Sequence, residues 1–95
     1  MSDLFKKLQS EIAAYKHVEG ITIADVLTLA PELRHTLNAI TRQGGMDLAE
    51  IVPELGTSAN ETKILLDMLV EKGYLTTLEK DGTLLYKTSL ARKRK

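Results

Sequence analysis

By residue type, the two histidines, His17 and His35, are the side chains best suited to proton transfer or metal ligation, and their placement argues against both roles. They lie far apart in sequence, on outward positions of two amphipathic segments. Neither has a histidine four residues away, the spacing that sets two metal ligands on one helix face. The chain contains no cysteine, which removes disulfides, thiolate zinc sites and a cysteine nucleophile. Gly44-Gly45 lacks the flanking pattern of a phosphate-cradling loop and reads as a helix terminator. The carboxylates fall at helix starts and on exposed faces, so no acid–base pair can be nominated. The expectation is a protein that binds rather than catalyses, with no cofactor and no metal.

Charge is the next chemistry available. The formal net charge is zero, but the distribution is uneven: residues 1–82 hold 8 Lys/Arg against 13 Asp/Glu, while 83–95 hold 5 Lys/Arg and no acid. A mildly acidic body therefore carries a basic end, Arg92, Lys93, Arg94 and Lys95, a layout suited either to an anionic partner or to solubility alone. A length of 95 residues suits one domain, with a core thin enough that a dimer interface would be a natural supplement. No apolar run is long enough to span a membrane and no secretory pattern opens the chain, so a cytoplasmic protein with no membrane partner is expected.

The elements that must position these residues follow from periodicity and punctuation. Leu4, Leu8, Ile12 and Tyr15 recur at helical spacing and predict an amphipathic helix over 3–17. Thr22 and Asp25 form a weak capping arrangement for a short helix over 23–29. Pro31 suits the first turn of a helix over 31–43, with Leu33, Leu37 and Ile40 as its buried stripe. Met46 falls in an extended link. Asp47 and Glu50 then form a capping box for a helix over 48–55, and Ser58 and Glu61 form another for a long helix over 58–72. Leu65 and Leu69 mark that helix's buried centre, with Thr62, Leu66 and Met68 flanking, and Gly73 sits at its C-cap. Two strand-like runs within 74–90 enclose Lys80-Asp81-Gly82, and Asp-Gly between such runs is a strong hairpin signal. The fold class expected is mainly α with a small β-hairpin (α+β), a single domain over 1–90 followed by the tail 91–95.

From Pro31 onward the order is helix, glycine break, short capped helix, tight turn, long capped helix, glycine and hairpin. Together with Asp47-Leu48-Ala49-Glu50-Ile51, Leu55-Gly56, the run "LLDMLVEKGYL", Asp81-Gly82 and Tyr86, it resembles the winged helix-turn-helix fold of MarR-type and ArsR-type bacterial repressors. The segments 3–17 and 23–29 would be additional N-terminal helices. The resemblance implies a regulator of transcription reading double-stranded DNA with helix 58–72 in the major groove. On that reading Asn60 contacts an adenine edge and Lys63 a guanine edge or a phosphate, while Thr57 and Ser58 donate to phosphates at the helix start. Lys80 and Lys87 would add cations from the wing, and Arg92, Lys93, Arg94 and Lys95 from the tail. A homodimer through helix 3–17 would present two such helices to a palindromic site.

Four features pull toward a different reading. Glu61, Asp67 and Glu71 outnumber Lys63 and Lys72 on the long helix, against the phosphate neutralisation on which duplex binding depends. Lys63 and Asp67 stand at i, i+4 and would satisfy each other. The wing is apolar, and Pro53 should shorten or kink the bracing helix. The alternative is therefore a protein–protein interaction module with a partner at the wing, using Ile64, Val70, Leu78, Leu84 and Leu85 as its docking patch.

Overall fold

A computed structural model describes residues 3–89, and the basic end Arg92 to Lys95 lies outside the described residues. The chain runs α1 (Asp3–Ala14), α2 (Ile23–Leu27), α3 (Pro31–Gln43), β1 (Met46–Asp47), α4 (Leu48–Leu55), α5 (Ala59–Lys72), β2 (Leu75–Lys80) and β3 (Thr83–Thr88). This is the expected mainly helical α+β architecture, a winged helix with two additional N-terminal helices, α1 and α2.

Local chemistry starts these helices where the sequence places the starts. Asp47 and Ser58 accept from the backbone N–H groups of Glu50 and Glu61, whose side chains accept in return from the Asp47 and Ser58 N–H groups. Thr22 and Asp25 make the same reciprocal pair at α2, a complete capping box rather than a weak one. Each box satisfies donors that a helix start leaves without an intrahelical acceptor. The first helix ends at Ala14 rather than 17, and α2 at Leu27 rather than 29. Beyond Ala14 the backbone is held by tertiary contacts instead. Lys72 Nζ donates to the carbonyls of Tyr15 (2.8 Å) and Ala13 (3.3 Å), and the Val18 N–H donates to the Lys72 carbonyl at 2.8 Å.

Pro53 does not shorten α4, since the helix runs to Leu55. The proline stands in the last turn, where the hydrogen bond it withholds would have gone to Ala49, an exposed residue whose carbonyl water can serve.

The sheet is larger than a hairpin. Met46 and Asp47 pair antiparallel with Tyr86 and Leu85, giving three strands in the order β1-β3-β2. Asp47 thus ends a strand and caps a helix at once, its extended backbone serving both. In the hairpin, Leu78 pairs with Leu85, Glu79 with Leu84 and Lys80 with Thr83, as the two-residue loop requires. Asp81 and Gly82 both take positive φ, 52° and 79°, which suits a mirror-image turn whose twist matches the strands.

The core gathers Leu8 and Ile12 of α1, Leu33, Leu37 and Ile40 of α3, Ile51 and Leu55 of α4, Leu65, Leu66 and Leu69 of α5, and Tyr86 of β3. Leu66 and Thr62, expected on the flanks of α5, are fully buried. Thr62 is tolerated there because its hydroxyl lies 2.7 Å from that of Thr57, also buried, so neither enters the core unsatisfied. Tyr15 and Tyr74 stack with ring centroids 5.6 Å apart, and the Ala30 N–H donates to the Tyr15 hydroxyl.

Candidate interaction surface

Helix α5 has two unlike ends. At its C-terminal end Gly73 takes a left-handed φ of 90°, and a Cβ there would run into the Val18 carbonyl. With Lys72 donating to α1 carbonyls, this end is closed against α1 and the segment that follows it.

The N-terminal half of α5 and the β2–β3 wing are open. Ser58, Asn60, Lys63 and Ile64 are exposed. Between the wing tip and the start of α4 lies an open groove of about 450 Å³, lined by Leu48, Ala49, Lys63, Thr83, Leu84 and Tyr86, with Asp47 at its edge. Large aliphatic side chains border this region in contact with solvent: Ile64 is 44% exposed, Leu78 47% and Leu84 44%. Ionised groups here lean acidic. Glu61, Asp67, Glu79 and Asp81 accompany Lys63, Lys80 and Lys87 on α5 as far as Asp67 and on the wing.

Lys63 is engaged by its own helix. Its ammonium lies 3.2 Å from the Asp67 carboxylate, the expected i, i+4 pair, and the hydrogen bond it donates to that carboxylate raises its pKa above the usual lysine value. Burial pushes the Tyr86 phenol up, opposed in part by the Lys63 charge. Neither group is set up for proton transfer near neutral pH.

The residues nominated from the sequence are thus brought together unevenly. Asn60, Ser58, Lys63 and Lys80 are exposed, and Lys87 is half-buried. Thr57 does not face outward: it is buried and bonded to Thr62, so it is not the exposed phosphate donor expected of it. Among the apolar candidates Ile64, Leu78 and Leu84 are exposed, whereas Leu85 is half-buried and Val70 packs against the core. Leu8 and Ile12, from the apolar stripe of α1, are fully buried in their own chain. The exposed residues of α1 are mostly polar, Asp3, Lys6, Lys7, Gln9, Ser10 and Glu11 among them. His17 and His35 are both exposed, and His35 Nε2 lies 2.8 Å from Glu54, tying α3 to α4. Sequence reasoning missed β1 and the contribution of Leu48, Ala49 and Tyr86 to the groove, because pairing with β3 aligns them and no local signal announces it.

Among the described residues no group of three or more His, Cys, Asp or Glu is placed to hold a metal ion, and no helix is long and apolar enough to cross a membrane.

Comparison with known proteins agrees with this geometry at the level of fold. The structure is similar to the crystal structure of NolR from Sinorhizobium fredii, with a TM-score of 0.55 and 19% sequence identity, covering 94% of this chain and 79% of that one. At that identity the likeness establishes the winged-helix fold and nothing finer, so neither the MarR nor the ArsR type is assigned. A search of curated proteins finds no match. A family model matches residues 15–93, from the stacked Tyr15 through the whole helix–wing unit, and the chain belongs to the O-methyltransferase dimerisation domain family.

Proposed function

We propose that this chain is a non-catalytic winged-helix interaction module whose primary activity is self-association into a homodimer. The observation that carries the reading is the surface of the wing and α5, where Ile64, Leu78 and Leu84 are exposed among side chains that lean acidic. Exposed aliphatics of this size favour a protein partner over water, and the sign of the charge disfavours phosphates. The family name supports a second copy as that partner. Dimerisation is carried to this chain rather than methyl transfer, because the named domain is the dimerising one. Sedimentation equilibrium on the whole chain tests this: a dimer that dissociates on dilution is expected, and a monomer at every concentration overturns the reading.

A second reading, a regulator that binds double-stranded DNA, is favoured by one observation, the run Arg92, Lys93, Arg94 and Lys95 on an otherwise acidic chain. In it, the exposed Asn60 and Lys63 of α5 face base edges while the tail neutralises phosphates. Fluorescence anisotropy against a duplex library at low salt decides it. Salt-sensitive binding that weakens when 92–95 are deleted supports DNA, and absence of binding at low salt removes it.

A further inference from the structure

The groove between the wing tip and the start of α4 is walled by Leu48, Ala49, Leu84 and Lys63, all of them exposed or half-buried. Tyr86 differs from the rest of the lining: it is 2% exposed and so forms the floor. A buried phenol ordinarily has a hydrogen-bond partner, as Tyr15 has in the Ala30 N–H. Among the described residues no group hydrogen-bonds the Tyr86 hydroxyl. Its charged neighbour, the Lys63 ammonium, gives its hydrogen bonds to the two Asp67 carboxylate oxygens at 3.2 and 3.4 Å. Nor is the hydroxyl sealed from the groove, since among the described residues the buried side-chain atom without a partner is Glu32 Oε1, on α3.

We propose that this groove binds an uncharged small molecule with an apolar body and one hydrogen-bond acceptor, a ketone, ester or amide, whose oxygen accepts from the Tyr86 hydroxyl. The volume, about 450 Å³, falls in the range of ligand pockets. Burial raises the pKa of the phenol, so near neutral pH it keeps its proton and acts as a donor. Charge sets the rest of the ligand class. Asp47 edges the groove and Asp67 stands beside Lys63, so an anionic ligand would meet two carboxylates against one ammonium. A cationic ligand would meet that ammonium and bring the phenol no acceptor. The Asp47 carboxylate is itself committed, accepting from the Glu50 N–H at 2.9 Å. What remains unmatched is one neutral donor beneath aliphatic walls, and a neutral acceptor on an apolar body complements it. Leu48 and Ala49 belong to α4, Lys63 to α5, and Leu84 and Tyr86 to the wing, so the ligand bridges all three elements. The groove is complete within one chain, and binding there does not depend on self-association.

The probe is acetophenone, a neutral aromatic ketone, titrated into the isotope-labelled whole chain and followed by amide chemical shifts. Benzoate serves as its anionic counterpart and benzylamine as its cationic one. Saturable shifts centred on Leu48, Ala49, Lys63, Leu84 and Tyr86 are expected with acetophenone, and binding weaker by about tenfold or more with either charged compound. Tyr86→Phe keeps the ring and removes the hydroxyl. Because that hydroxyl has no partner in the fold, the variant should melt at the wild-type temperature while its acetophenone affinity falls about three- to tenfold, the range of one neutral hydrogen bond. Ala49→Phe fills the groove from an exposed position and should abolish the shifts at the other lining residues. No saturable shift at these residues, equal binding of benzoate or benzylamine, or wild-type affinity in Tyr86→Phe or Ala49→Phe overturns the proposal. A clear fall in the melting temperature of Tyr86→Phe also overturns it, since the hydroxyl would then serve the fold. Each of these outcomes leaves the self-association reading standing.

Discussion

The two ends of α5 are built from the same helix and do opposite work. At the C-terminal end, Lys72 and Gly73 meet α1 and Val18 through backbone carbonyls and van der Waals contact, with no room for a methyl group. At the N-terminal end, Ser58, Asn60, Lys63 and Ile64 stand in solvent beside a hairpin whose outer strand is exposed along most of its length. The difference separates stability from recognition: substitutions at the first end should unfold the domain, and those at the second should change what it binds.

The largest effect is expected at Gly73 and in the helix centre beside it. Gly73→Ala costs about 1–2 kcal/mol for the left-handed backbone alone, with displacement of Val18 in addition. Leu65→Ala, at a fully buried position, costs about 2–5 kcal/mol. Urea denaturation checks both, and a loss below about 0.5 kcal/mol in either would remove the distinction between the two ends.

Alkaline pH should act next, through the three buried phenols. Burial raises the pKa values of Tyr15, Tyr74 and Tyr86 above the ordinary 10.0. The folded state holds these protons more tightly than the unfolded chain, so the contribution is fully present below pH 10.0 and lost as pH rises through the folded values. Thermal melts paired with phenolate absorbance should show melting temperature falling only above that pH. A fall beginning near neutrality would point to other groups.

At the open end the effects on stability should be smallest. Lys63→Ala and Leu84→Ser are each expected to change folding free energy by less than about 0.5 kcal/mol, because one breaks an exposed ion pair and the other shortens an exposed side chain. If either destabilises the domain as much as Leu65→Ala, the wing belongs to the core and the comparison fails.

How much of this was legible in the sequence follows the range of the interactions involved. The capping boxes of Asp47 and Ser58 span four residues and the Asp81-Gly82 turn spans two, and all stand where the sequence places them. Strand β1 was not legible, since two residues carry no periodicity and the strand exists only because Tyr86 and Leu85 arrive beside it. Thr57 illustrates a second limit. As a residue type it suits an exposed donor, but a partner hydroxyl on Thr62 lets it enter the core. The end of α1 illustrates a third, because the group that donates to the carbonyls of Ala13 and Tyr15 is Lys72 of α5, distant in sequence. On the surface, Ile64, Leu78 and Leu84 are exposed while Val70 packs against the core, since helical phase alone does not reveal which neighbours close over a flank.

Whether the open wing and α5 surface meets a second copy while the α1–α5 junction serves the fold is read from amide hydrogen exchange at dilute and concentrated protein. Protection that rises with concentration in the wing or the N-terminal half of α5, with α1 unchanged, is expected. Concentration-dependent protection confined to α1, or none anywhere, would contradict it.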